Sequence, residues 1–351
     1  MAIADSSAAF GAIVGQERAL SRLGALVARD GVPHALLFAG IDGIGKTTAA
    51  RALAMVLNCQ APLPAGEERP WPDACGRCRS CRRIAAGLHP DVIQLQPEGA
   101  FFKIGQIRSL LDVLTLRPYE ARYRVVILRD AQAMTTAAAN ALLKVLEEPP
   151  DRTILVLTAG GSSDLLPTIV SRCQAVRFAP LDPDRIAQRL VENDGLAPQD
   201  ATVVAALAGG SLGRALALAR QGAVAHWRRR RDWLARMLST LPGQGPSTVL
   251  AVAEELARDG RRAGESLELA KTWLRDRLVA LQRPELVVYA DRREDLCRSA
   301  RQAADRNRCL FQIRRLQEAQ RALEGNGAVR LTLESLFFDL ARGDGKAAGG
   351  N

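Results

Sequence analysis

Two hydrophobic rhythms divide the chain. Over residues 1–180, short apolar runs alternate with helical patterns, and beyond them no convincing set of strands remains. His34 to Ala39 is an apolar run, followed at once by a glycine-rich loop and then by a helix-like stretch from Thr47 to Leu57. Arg124 to Leu128 and Thr153 to Thr158 are continuous apolar runs of strand length, the pattern of strands covered on both faces. Gln174 to Phe178 predicts a further strand, and Asn140 to Glu148 a helix stopped by Pro149-Pro150. Strands alternating with helices predict a parallel α/β sheet.

Pro180-Leu-Asp-Pro183 reads as the end of that region. Arg185 to Leu190, Ala201 to Leu207 and Ser211 to Leu218 predict three short helices, and Leu241-Pro-Gly-Gln-Gly-Pro246 a second boundary. From there to Arg342 apolar and charged residues alternate helically, as in Leu267 to Leu281. Gly343 to Asn351 is Gly/Ala-rich and predicted to be disordered. The expected fold class is α/β plus all-α, with an α/β module at 1–180, small helical and larger helical domains at 181–240 and 241–342, and a tail at 343–351.

Composition refines this picture only slightly. The 351 residues, 48% of them hydrophobic, suffice for two or three domains with ample core. No apolar run approaches the roughly 18 residues of a membrane span. No basic stretch followed by an apolar one opens the N-terminus, so a cytoplasmic protein without membrane contact is expected. The net charge of +10 invites a polyanion, but the excess is diffuse. Only Arg228 to Arg231 form a dense run, read as a solvated helix face, and aromatics at 4% are too few for a stacking platform.

The chemistry sits in three places. Gly40-Ile-Asp-Gly-Ile-Gly-Lys-Thr47 has the spacing of a phosphate-binding loop, and it follows a strand and opens a helix as that loop requires. Glycines let backbone N–H groups approach phosphate oxygens, and the positive end of the helix faces the same anions. Gly40, Gly43, Gly45, Lys46, Thr47 and Thr48 are therefore candidate ligands of a nucleoside triphosphate, with Lys46 on the β- and γ-phosphates and the Thr47 hydroxyl on Mg²⁺. Asp130, just past the Val125 to Leu128 run, is a candidate Mg²⁺ residue acting through water, its competing reading being a helix N-cap. Ala131 follows it, where a second acidic residue is common.

The third place is a cysteine cluster. Cys75-x-x-Cys78-x-x-Cys81 lies sixteen positions after Cys59, across a segment rich in proline. Four thiolates satisfy a tetrahedral Zn²⁺, leave no open position and would staple the loop, so one structural zinc is expected. A redox-active Cys-x-x-Cys pair is the alternative. Cys173, Cys297 and Cys309 are isolated and read as ordinary thiols.

The intact loop, the cysteines after its helix and Asn140-Ala-Leu-Leu-Lys-Val-Leu-Glu-Glu-Pro-Pro150 together resemble the bacterial clamp-loader subunits of DNA polymerase III, within the AAA+ family. The resemblance runs from Ile13-Val-Gly-Gln16 to about Leu340 and includes Ser171-Arg-Cys173. It is closer to the delta prime type than to the gamma/tau motor type. Ala131 stands where the motor type has a water-polarising glutamate, the chain ends without the long tau extension, and Gly87-Leu-His-Pro-Asp91 resembles delta prime.

The resemblance implies an AAA+ module at 1–180 with a zinc-binding insertion at 59–81, a lid at 181–240 and an oligomerising collar at 241–342. It implies that Ile13 and Val14 lie beside the adenine, that Thr158 is the polar sensor at a strand end, and that Arg214 reaches the γ-phosphate from the lid. It also implies that Arg172 enters a neighbour's ATP site as an arginine finger. The bland readings are a helix-surface Arg214 and an Arg172 that closes an ion pair at a strand start. The implied function is ATP-dependent loading of the sliding clamp (beta) onto primed DNA with gamma/tau and delta. ATP or ADP with Mg²⁺ would be bound and hydrolysed poorly by this chain, within a DNA-polymerising holoenzyme. An autonomous motor ATPase and a zinc-stapled DNA-binding adaptor are the rivals.

Overall fold

Five strands make one parallel sheet: β1 (Ala35–Ala39), β2 (Val92–Leu95), β3 (Arg124–Leu128), β4 (Thr153–Ala159) and β5 (Gln174–Arg177), in the order β2-β3-β4-β1-β5. This computed structural model describes residues 9–67, 70–220, 223–258, 260, 263–299, 303–324 and 327–342; the tail expected at 343–351 lies outside the described residues. Among the described residues, α1 (Glu17–Ala28) precedes β1, and five helices join the strands: α2 (Lys46–Leu57), α3 (Arg79–Ala85), α4 (Ile104–Leu114), α5 (Thr136–Glu147) and α6 (Pro167–Val170).

Successive strand residues point to opposite faces, and both faces are covered. Leu36, Phe38, Val125, Ile127 and Val156 pack with Leu23 of α1, Leu53 of α2 and Ile84 of α3. Leu37, Val126, Leu128, Leu155 and Leu157 pack with Ile107 of α4, Leu142 of α5 and Ile169 of α6. Each such side chain contributes about 1.5–3 kcal/mol by leaving water, which is why β1, β3 and β4 are uncharged and, Thr153 and Thr158 apart, apolar. Arg124 is the exception. It is 4% exposed, and its guanidinium donates to the carbonyl oxygens of Val113 (2.8 Å), Leu116 (2.6 Å) and Arg117 (2.8 Å), satisfying the end of α4.

The strands expected at 34–39, 124–128, 153–158 and 174–178 are present within a residue or so. The β2 strand was not foreseen, because it is an edge strand of mixed polarity with partly exposed residues. The helix expected from Asn140 starts earlier, at Thr136, where the Thr135 hydroxyl caps it by accepting from the Ala138 amide at 3.3 Å.

The described residues up to Arg185, with Gly210–Arg214, form one compact unit; Ile186–Gly209 and the residues from Ala215 onward form another. Among the described residues nine further α-helices follow β5: α7 (Pro183–Asp194), α8 (Pro198–Leu207), α9 (Leu212–Ala219), α10 (Ala223–Thr240), α11 (Pro246–Ala257), α12 (Ala263–Val279), α13 (Arg293–Ser299), α14 (Ala303–Glu324) and α15 (Val329–Arg342). In the second unit α11 packs on α15, and α12 packs on α10 and α14.

The run Arg228–Arg231 is not wholly a solvated face. Arg231 is 2% exposed, donates to both carboxylate oxygens of Asp291 (2.7 and 2.8 Å), and lies over the Tyr289 ring. Four arginines on consecutive positions of one helix point in different directions, so one of them faces the core.

Candidate nucleotide and metal sites

β1 ends at Ala39, and the chain turns through Gly40–Gly45 into α2. A Cβ on Gly40 would sit 2.6 Å from the Phe178 carbonyl oxygen, so a side chain there collides with the exit of β5. Gly45 caps α2 with φ +104, a conformation that glycine alone adopts without strain. No acidic residue occupies the first turn of α2, so its N–H groups face outward with their partial positive charge unopposed.

Lys46 is 6% exposed, and its Nζ donates to the carbonyl oxygens of Gly40 (2.5 Å) and Ile41 (2.9 Å). Burial lowers its pKa, while Asp42 and Asp130 act in the opposite direction. Thr47 is half-buried and Thr48 exposed.

The carboxyl ends of β3 and β4 meet beside the loop, where ligands of open α/β sheets bind. Asp130 has φ 54, a left-handed conformation that costs most residues about 1 kcal/mol or more. Its N–H donates to the Thr158 hydroxyl at 3.1 Å, and Thr158 is 1% exposed. The Asp130 side chain makes no cap bond to the short turn Ala131–Ala133, so the N-cap reading is not realised. Ala131 is 1% exposed. Arg129, which departs from the apolar run, reaches outward to Gln96 Oε1 at 3.1 Å.

Ile13 and Val14 are half-buried, and the Ile13 Cγ2 would lie 3.8 Å from a Cβ on Gly45. Gln16 anchors their segment: its Nε2 donates to the Ala179 carbonyl at 2.8 Å, and its Oε1 accepts from the Ala179 amide at 3.2 Å. On the other flank of the loop, the Gly213 amide donates to the Gly43 carbonyl at 2.8 Å, and the Arg214 amide donates to Ser211 Oγ at 3.1 Å. The backbone of Arg214 is thereby placed beside the loop.

Arg172 is held elsewhere, between α6 and β5. Its guanidinium pairs with Glu147, the last residue of α5, at 2.6 Å, and donates to the Thr168 carbonyl at 3.0 Å. The ion pair at a strand start is therefore present in this chain, with the two side chains 35% and 51% exposed.

Cys59, Cys75, Cys78 and Cys81 bring their sulfurs within 4.8 Å of one another. Four thiolates at about 2.3 Å from one Zn²⁺ would be about 3.8 Å apart, so this set fits one ion after small shifts. The Cys75, Cys78 and Cys81 amides donate to the Cys59, Cys75 and Cys78 sulfurs at 3.3, 3.3 and 3.4 Å. Burial raises the Cys75 thiol, yet the Arg77 and Cys78 amides and the sulfurs of Cys59 and Cys78 outweigh it and bring it down to about 6. Burial and the bond to Cys78 push the Cys81 thiol up. Burial likewise pushes Cys173, outside the cluster, to about 11.

A sequence family described as DNA polymerase III, delta subunit, matches residues 15–182. The DNA polymerase III subunit delta' of Bacillus subtilis is 31% identical over 329 residues, which cover 93% of this chain and 97% of that protein. The chain belongs to the delta prime subunits of DNA polymerase III. The delta' subunit of Pseudomonas aeruginosa is 44% identical over 142 residues, covering 40% of this chain and 41% of that protein. The tau subunit of Escherichia coli is 34% identical over 217 residues, but these are 60% of this chain and 32% of that protein. The match to the Bacillus subtilis delta' subunit thus runs nearly end to end, and the match to the Escherichia coli tau subunit is confined to part of each chain.

For this delta prime chain, sequence reasoning found the loop and the cysteines but missed two carboxylates. Asp73, 1% exposed, accepts from the amides of Phe10 (2.9 Å) and Gly11 (3.0 Å). Asp91, also 1% exposed, accepts from the amides of Tyr119, Glu120 and Ala121 at 2.7–2.9 Å. Asp91 lay within a segment noted only for its resemblance; nothing local marks Asp73.

Proposed function

We propose that this delta prime subunit holds ATP with Mg²⁺ in the Gly40–Thr47 loop, turns it over poorly, and lends Arg172 to the nucleotide of a neighbouring gamma/tau subunit. The assembly, which also contains delta, would open the sliding clamp and place it on primed DNA. The observation that carries this reading is a contrast at the carboxyl ends of β3 and β4. Lys46 lies within the influence of Asp130, and Thr158 holds the Asp130 backbone, yet the next residue is the buried methyl of Ala131. The residues read as binding groups support retention of the nucleotide, and the alanine after Asp130 supplies no base to polarise water; such a base is worth about 10²- to 10⁴-fold in rate.

Lys46 and the loop amides would take the phosphates, Thr47 and Asp130 the metal, Ile13 and Val14 the base, and Arg214 the γ-phosphate. Arg172 is bound by an exposed ion pair, which contributes about 0–1 kcal/mol. Exchanging Glu147 for a phosphate on a neighbour therefore costs little, and an arginine in that role accelerates hydrolysis by about 10³- to 10⁵-fold. The four cysteines would hold a structural Zn²⁺, and residues 181–240 and 241–342 would act as lid and collar.

The test is ATPase measurement on the chain alone and on the complex reconstituted with gamma/tau, delta, clamp and primed DNA. The isolated chain is expected to bind ATP with little turnover and to lose binding on Lys46→Ala. Arg172→Ala should depress turnover of the complex and leave its assembly intact. Brisk turnover by the isolated chain would favour a motor. Strong DNA binding without partners, with indifference to Arg172→Ala, would favour a DNA-binding adaptor.

A further inference from the structure

The insertion that carries the cysteines is bonded to the segment that flanks the loop. Asp73 sits two residues before Cys75 in the chain. Its backbone pairs with Leu63 in both directions, at 2.8 and 3.0 Å, so the two limbs of the insertion are closed on each other at this residue. Its carboxylate accepts from the Phe10, Gly11 and Ala74 amides at 2.9, 3.0 and 2.8 Å. Phe10 and Gly11 open a short turn, Phe10–Ala12, that is closed by the Ile13 amide donating to the Phe10 carbonyl at 3.1 Å.

Ile13 is the next residue, and it lies against Gly45. Gln16 fixes the far end of the segment on Ala179, so residues 10–16 are tied at two points, one of which belongs to the insertion. A second contact runs parallel: Trp71 lies so close to α1 that a Cβ on Gly24 would sit 2.2 Å from its own Cβ. Buried hydrogen bonds to a carboxylate are short, directional and costly to leave unmade. A continuous path of bonds thus runs from the insertion through Asp73 to Phe10 and on to Ile13.

We infer that Asp73 is a positioning residue that couples closure of the cysteine cluster to the base-binding side of the nucleotide site. The inference rests on the nucleotide reading proposed above and adds a task for the insertion, which would hold Ile13 and Val14 in place. The phosphate side of the site, Gly40–Thr47, meets this chain of contacts only where Ile13 touches Gly45, and has bonds of its own from Lys46 to the Gly40 and Ile41 carbonyl oxygens and from the Gly213 amide to the Gly43 carbonyl.

The full chain is tested by competition binding with two probes, ATP and inorganic tripolyphosphate, the latter lacking base and ribose. Asp73→Asn is expected to weaken ATP about tenfold, leave tripolyphosphate unchanged and leave the metal content of the chain unchanged. Chelation of metal from the wild-type chain, with helical content checked by circular dichroism, should weaken ATP to a similar degree and add nothing in Asp73→Asn. Equal weakening of both probes, unchanged ATP affinity, or additive effects of chelation and substitution would each overturn the coupling. If Asp73→Asn does not fold, the chelated wild-type chain decides: unchanged preference for ATP over tripolyphosphate overturns it. Lys46→Ala is the separate control. Retention of both probes by that variant would overturn the nucleotide reading itself.

Discussion

Asp91 illustrates how much one side chain can organise. Three consecutive amides converge on it, and Arg124 approaches at 3.4 Å. Burial alone would raise its pKa, but the amides of Glu120, Tyr119 and Ala121 and the Arg124 guanidinium outweigh burial and hold the carboxyl below its ordinary value. Asp91→Asn keeps the shape but replaces one acceptor oxygen by a donor that faces amides. The variant is expected to lose about 1.5–3 kcal/mol of stability at pH 7, measured by urea unfolding. Because the folded pKa is lowered, the wild-type advantage is full above the unfolded carboxylate value of about 3.9 and disappears as pH falls through the folded value. The gap between the two proteins should therefore close under acid. A gap that persists in acid strong enough to protonate the carboxyl in both states would mean that packing, not charge, accounts for it.

At the scale of elements, legibility followed burial. The β1, β3 and β4 strands were visible because both faces are covered and, Arg124, Thr153 and Thr158 apart, their positions are apolar. The edge strand β2 was invisible because half its positions need not be. The loop and cysteine cluster could be read because their spacing is local, within eight and twenty-three residues respectively. The clamps made by Asp73, Asp91 and Gln16 could not, since each joins a residue to amides 28 to 163 positions away. Arg231 was misread for the related reason that its partner Asp291 lies 60 residues on. The insertion offers the sharpest test of an element. Cys75→Ser and Cys78→Ser are each expected to reduce bound zinc from one ion per chain to none, by elemental analysis, and to open residues 59–81 to protease. Protection that survives loss of zinc would assign the staple to the Leu63–Asp73 pairing instead.

The whole chain divides into two compact units, and the Gly40–Thr47 loop belongs to the first. No helix among the described residues is long and apolar enough to cross a membrane. A ligand that binds only the folded state stabilises it by about 2.7 kcal/mol at a hundred times its dissociation constant. In scanning calorimetry Mg-ATP is therefore expected to raise the transition of the first unit and leave the other in place, with no shift in Lys46→Ala. Equal displacement of the whole profile would mean that the two units unfold together.

The resting pair of Arg172 and Glu147 has a further consequence, in ionic strength. The Debye length falls from about 10 Å at 0.1 M to about 3 Å at 1 M salt, and exposed pairs feel this far more than buried ones. Salt will loosen Arg172 from Glu147 while Arg124 and Asp91, 5% and 1% exposed at their side chains, stay joined. When Arg172 departs it also uncovers a carboxylate, so the face it leaves becomes one charge more negative. An arginine drawn toward an anion thus leaves behind a group that repels the same anion.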